Sequence, residues 1–142
     1  MRQDGRLARM IHVLVHMGLL GGKETSGRIA EMLGTNPVVV RRTMGLLRDC
    51  GIVRSEGGRG GGWQLSRPLD ELTVLDVLRA LQDGRLLDPG LSDDHPSCPV
   101  ERAANAVLVS AYADAETRLV EHFAGVTLAA VGEAAMNRPS SA

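Results

Sequence analysis

Apolar positions recur at helical spacing in five separate stretches of this 142-residue chain. Leu7, Met10, Ile11, Leu14 and Val15 follow the i, i+3, i+4, i+7, i+8 series of a helix with one buried stripe, which predicts a helix over 6–20. Gly21-Gly22 ends it. A shorter helix starts at Thr25 or Ser26, either of which can cap its free amides, and turns Ile29, Ala30 and Leu33 inward. Gly34 then permits the left-handed backbone of a sharp turn. The third helix follows Asn36-Pro37, a capping residue and a first-turn proline whose missing N–H costs nothing. Val40, Met44 (or Thr43) and Leu47 fall on its core side, which leaves Val38, Arg41, Arg42, Gly45 and Arg48 facing outward.

After Gly51 the period shortens. Ile52-Val53-Arg54 and Trp63-Gln64-Leu65 are strand candidates joined by Gly57 to Gly62, five glycines in six residues with Arg59 as the side chain at the tip. Leu72 to Leu81 returns to helical spacing, and a polar loop bearing Pro and Gly runs from Asp83 to Pro99. The last element is read as one helix from Val100 to Val131, its stripe carried by Val100, Ala104, Val107, Ala111, Ala115, Leu119 (or Arg118) and Phe123. About 30 residues make a helix near 45 Å long. A single small domain cannot cover such a stripe, so pairing with a second copy is expected. The chain therefore divides into a head (1–82), a loop (83–99), a dimerisation helix (100–131) and a tail (132–142) expected to fray from Asn137 to Ala142. The fold class predicted is mainly α, a winged helix-turn-helix with a small β-hairpin wing and a long C-terminal dimerisation helix.

Composition supports a helical core: 44% of residues are apolar, yet Phe, Tyr and Trp occur once each. The net charge of −1 hides a strong asymmetry. Residues 1–67 hold 11 Lys and Arg against 5 acids, a balance of +6, whereas the remainder holds 5 Arg against 12 acids, a balance of −7. A local cationic field of this kind fits a polyanionic partner. Two cysteines are too few for a disulfide scaffold, and the run from Met10 to Leu20, interrupted by His12 and His16, is too short to span a bilayer. No secretory leader opens the chain, so a cytoplasmic protein without a membrane partner is expected.

Helix, tight turn, basic helix and glycine-rich hairpin, in that order, are what double-stranded DNA recognition by a winged helix requires. Asn36, Val38, Arg41 and Arg42 are the candidates for base edges: Arg can take guanine bidentately, and a Val methyl can pack on a thymine methyl. Lys23, Arg48 and Arg54 are assigned to phosphates, which position without specifying. Arg59 is placed to enter the minor groove. Enzyme chemistry is excluded on the motifs. The glycine loop does not form Gly-x-Gly-x-x-Gly, no Lys-Ser/Thr pair follows it, and Asp93-Asp94 lack a placed partner base. His12 and His16 share a helix face, but two imidazoles fall short of the four ligands of a closed zinc site, so no metal is assigned. Cys98, beside His95 and ahead of a helix N-terminus, is a candidate redox sensor through a lowered thiol pKa, with a bridge across the dimer as one outcome. Cys50 reads as a small packing residue.

Three stretches carry a family resemblance: Arg28-Ile-Ala-Glu-Met-Leu-Gly, Val40-Arg-Arg-Thr-Met-Gly-Leu-Leu-Arg-Asp-Cys-Gly-Ile-Val and Arg59-Gly-Gly-Gly-Trp-Gln-Leu-Ser-Arg-Pro, followed by Leu72-Thr-Val-Leu-Asp-Val-Leu-Arg-Ala-Leu. Together they resemble the bacterial winged-helix repressor family of the iron-sulfur cluster regulator, the nitrite-sensitive repressor and the cysteine metabolism repressor, the Rrf-two family. The resemblance implies a homodimer with crossing C-terminal helices and two recognition helices on a pseudo-palindromic operator, acting as a repressor. Members that sense iron, nitric oxide or redox state carry three cysteines in the loop before the long helix. This chain has Cys98 alone there, which argues against an iron-sulfur cofactor. His95-Pro-Ser-Cys98-Pro-Val is similar instead to the YwnA-like branch, and no residue set identifies an effector. The reading from another class is a winged-helix interaction or scaffolding module whose acidic half docks a protein and which does not bind DNA.

Overall fold

The computed structural model describes residues 5–82 and 84–138. Its first three helices are α1 (Arg6–Leu20), α2 (Ser26–Leu33) and α3 (Pro37–Asp49), each ended as the sequence dictates. Gly21 closes α1 by donating its N–H to Met17 O, and Gly34 closes α2 at φ +65°. Thr25, not Ser26, caps α2: its Oγ1 accepts from Arg28 N at 3.2 Å. Asn36 caps α3 through Oδ1, which accepts from Val38 N and Val39 N at 3.1 Å each.

Strands β1 (Val53–Glu56) and β2 (Gly62–Leu65) form an antiparallel hairpin, in the register Val53 with Leu65, Arg54 with Gln64, Ser55 with Trp63 and Glu56 with Gly62. Glu24 joins β2 on its other edge through an isolated bridge to Trp63, so the segment entering α2 is tied to the hairpin. A short 3-10 turn at Leu69–Glu71 then leads to α4 (Val74–Leu81), which carries a reciprocal capping box between Thr73 and Asp76. One core gathers Val13, Leu14, Ile29, Val40, Met44, Leu47, Ile52, Val53, Leu72 and Val77. α1 packs across α4 and a C-terminal helix, α6 (Leu128–Asn137), while α3 lies on α2 and α4. The winged helix-turn-helix is therefore assembled on a helical frame.

The single helix expected from Val100 to Val131 is instead two, α5 (Pro99–Ala124) and α6 (Leu128–Asn137). Gly125 caps α5, and Val126 to Leu128 then pair with the strand-like residues before α4: Val74 N donates to Val126 O at 2.9 Å, and Leu128 N to Leu72 O at 2.8 Å. Thr127 caps α6, its Oγ1 accepting from Ala130 N at 3.1 Å. The backbone groups freed by the break are thus satisfied, and Leu128 is fully buried in the main core. The expected stripe also divides. Val100, Ala104, Val107 and Ala111 are exposed, Leu119 is half-buried, and Phe123 packs against the core. Leu86, in the loop before α5, is buried beside Leu75 and Leu78, so this polar stretch is pinned rather than simply solvated. Asp83 and residues 139–142, the greater part of the expected frayed tail, lie outside the described residues.

Candidate nucleic-acid interface

The outward face of α3 follows from the 100° step of the helix. With Val40, Thr43, Met44 and Leu47 buried, Val38, Arg42 and Gly45 lie opposite the core, Arg41 and Arg48 on one flank, and Val39 and Leu46 on the other. Thr43 is drawn inward because its hydroxyl donates to Val39 O at 3.1 Å. Val38 is 57% exposed and Val39 44%, an apolar pair at the N-terminal end of the helix. Val39 had no signal in the sequence beyond the β-branched run it belongs to. Asn36, expected at a base edge, has its Oδ1 committed to the cap, so its established contribution is to start α3 and fix its direction.

The cations of the head fall into two groups. Lys23 is ion-paired with Glu56, Arg28 with Glu24 at 3.4 Å, Arg48 with Asp49 at 3.3 Å, and Arg67 with Asp76 at 4.0 Å. Arg54 donates to Gln64 Oε1 at 3.0 Å across the hairpin. Among the described residues, by contrast, Arg9, Arg41, Arg42, Arg59 and Arg79 have no hydrogen-bond or ion-pair partner within the chain. Their charge is held by solvent alone and is available to a polyanion.

The wing is oriented by its base. Trp63 is buried, its indole Nε1 donates to Ser26 Oγ at 2.9 Å, and its backbone exchanges hydrogen bonds with Glu24 at 2.8 and 2.9 Å. Ser26, first read as a possible cap, is instead the latch of the wing. Gly62, at φ +147°, lies so close to the Glu24 backbone that an added Cβ would sit 2.7 Å from its carbonyl oxygen. The structure therefore brings Lys23, Arg54 and the wing together on neighbouring strands. Glu56, not singled out in the sequence, stands among them, and its carboxyl is held below the usual glutamate range by the hydrogen bond and charge of Lys23.

Cys98 lies at the N-cap of α5 and Cys50 at the C-cap of α3, both as free thiols. The backbone amides of Glu101 and Val100 hold its thiol below the ordinary cysteine range; the open helix end does this, rather than the His95 imidazole. Glu101 and Asn105 pin the loop ahead of it: Glu101 Oε2 accepts from Ser92 Oγ and His95 N, both at 2.9 Å, and Asn105 exchanges hydrogen bonds with the Ser92 backbone. On α1, His12 and His16 are exposed with ring centroids 4.7 Å apart, edge to face. No helix among the described residues is long and apolar enough to cross a membrane.

The family profile described as Rrf2, an iron-dependent transcriptional regulator, matches residues 4–134. YwnA of Bacillus subtilis (strain 168), named as a candidate HTH-type transcriptional regulator, is 31% identical over 125 residues, covering 88% of this chain and 92% of that protein. A crystal structure of a candidate DNA-binding protein superposes with a TM-score of 0.71 at 30% identity, covering 89% of this chain and 97% of the other. IscR of T. potens has the same fold, with a TM-score of 0.69 at 20% identity over 99% of this chain and 93% of its own. The iron in the family description finds a poor donor set here. Among the described residues no group of three or more His, Cys, Asp or Glu is placed to share a metal, and each chain offers one thiol before α5, where a cluster needs about four ligands.

Proposed function

This chain belongs to the Rrf2 family of transcriptional regulators and is a DNA-binding regulator, and from that premise we propose that it is a homodimeric repressor of a pseudo-palindromic operator. The observation that carries the reading is the cationic face of α3, where Arg41 and Arg42 project without internal partners beside an exposed Val38. In this reading Arg41, Arg42 and Val38 reach base edges in the major groove, Asn36 sets the end of the helix that enters it, and Arg48, Arg54 and Lys23 meet phosphates. Arg59 at the wing tip enters the minor groove. The outward stripe of α5 supports pairing: no residue of that helix is buried, and Val100 is 76% and Val107 68% exposed. Two heads related by a dyad favour two inverted half-sites. No resident cluster takes part. Cys98, its thiol lowered by the α5 amides, is the point at which an oxidant would act.

Duplex binding by Arg41→Ala and Arg48→Ala, measured by fluorescence anisotropy against salt, tests these roles. Arg41→Ala is expected to narrow the gap between a selected site and random DNA, by about 1–3 kcal/mol of discrimination. Arg48→Ala is expected to weaken both alike and to leave the discrimination between them unchanged. Equal losses on every sequence from both variants would contradict the assignment, and a native chain with no salt-dependent binding would point to the interaction module instead.

A further inference from the structure

An acid in the midst of a phosphate-facing surface needs a reason. Glu56 closes β1 opposite Gly62, with Arg54 two residues before it, Arg59 three after it and Lys23 across from it. Both members of the Lys23–Glu56 pair stay partly open to water, at 35% and 48% of their side-chain area. A surface ion pair of this kind contributes little to folding. The hairpin is already held by its own ladder, by the Glu24–Trp63 bridge and by the indole of Trp63 on Ser26, so the pair is not needed to keep the wing in place. What it does is remove one positive charge from the side of the molecule that a duplex approaches.

We propose that Glu56 is a built-in competitor for DNA phosphate: it holds Lys23 in an ion pair that must exchange for a phosphate contact when the wing meets a duplex, and so limits affinity for DNA of any sequence. The proposal rests on the DNA-reading role of α3 and the wing given above. Its ion balance is explicit. In the native chain Lys23 leaves a carboxylate to reach a phosphate, so the cation freed from the DNA is offset by one gathered at the bared Glu56. With Gln at 56, Lys23 is free beforehand, nothing offsets the released cation, and one more ion appears in the salt dependence. The backbone frame brings the two side chains together in every copy, because Lys23 precedes the residue bridged to Trp63 and Glu56 pairs with the residue before Trp63. Such a device lowers binding to every sequence alike, so it reduces occupancy of non-specific DNA while the ratio of specific to non-specific affinity stays with the contacts on base edges.

The test is anisotropy of a labelled mixed-sequence duplex of about 30 base pairs, titrated with native protein, E56Q, K23M and K23M/E56Q over a range of KCl. E56Q is expected to bind several-fold more tightly at low salt and to steepen the slope of log K against log salt by about one unit. In the K23M background E56Q is expected to gain much less than in the native one and to leave the salt slope unchanged, because the ion exchange runs through Lys23. An unchanged slope in E56Q would overturn the proposal, as would an equal gain in the K23M background, which marks a general field effect. Weaker binding by E56Q with an unchanged melting temperature would overturn it too, and would make the pair a strut of the wing. A native chain indifferent to the duplex at low salt would sink the DNA reading itself, and this proposal with it.

Discussion

Gly45 is the residue whose place in the fold has no internal reason. It sits in the middle of α3 on the face opposite the core, and the nearest atom to an added Cβ would be Arg48 Nη2 at 3.7 Å. A glycine there costs the helix about 0.5–1 kcal/mol relative to alanine. Its position between Arg41, Arg42 and Arg48 points to close approach by the partner of that face. Gly45→Ala is expected to stabilise the protein by that amount in chemical denaturation while weakening duplex binding roughly 10-fold, or ~1.4 kcal/mol. A stabilised variant with undiminished binding would show that nothing approaches there. Cys98 gives a second residue-scale expectation. Because the α5 amides favour its thiolate, iodoacetamide should modify Cys98 at a lower pH in the folded chain than in urea; coincident pH profiles would contradict this. Arginines on the face of α3 could be read directly from helical spacing. The capping role of Asn36 could be read as well, but not that the cap would occupy its oxygen, and Glu56 carried no signal because its meaning depends on an ion-pair partner 33 residues away.

At the scale of elements, the wing is a lever whose angle is set by α2. Its tip is nearly all glycine, but its base is tied to the start of α2 by two backbone hydrogen bonds and one indole. Ser26→Ala removes the partner of a buried Trp63 N–H and is expected to cost about 1–3 kcal/mol of stability. At a temperature where the variant remains folded, it should weaken the contribution of Arg59 more than that of Arg41. A double-mutant cycle of Ser26→Ala with Arg59→Ala checks this, and full additivity would mean that the latch does not orient the tip. The boundaries of α1 to α4 follow from caps and glycines visible in the sequence, to within a residue or two. The α5 break had visible signs as well, in Gly125 and in Thr127 as a cap. The apolar period ran on across them, because Leu128 and Val131 continue helical spacing while serving a different face. Long-range pairing of Val126 and Leu128 with the residues before α4 decided the matter, and periodicity has no access to it.

At the scale of the molecule, the +6 half seen in the sequence holds α1 to α3 and the wing, whereas the acids of the −7 half are spread from the turn before α4 through the loop and α5 into α6. α5 is apolar on both sides. One side, through Val120 and Phe123, touches its own core, and the other, through Val100, Ala104, Val107 and Ala111, is exposed. A second copy on the exposed side would carry two heads at a fixed separation. The most direct measurement of the whole account is a hydroxyl-radical footprint, with the stoichiometry of the complex, on a duplex selected by the purified protein from random DNA. Two chains per duplex, with two inverted protected half-sites spaced about one helical turn, near 34 Å, are expected. A single chain on an asymmetric footprint, or failure to enrich any duplex at low salt, would contradict it.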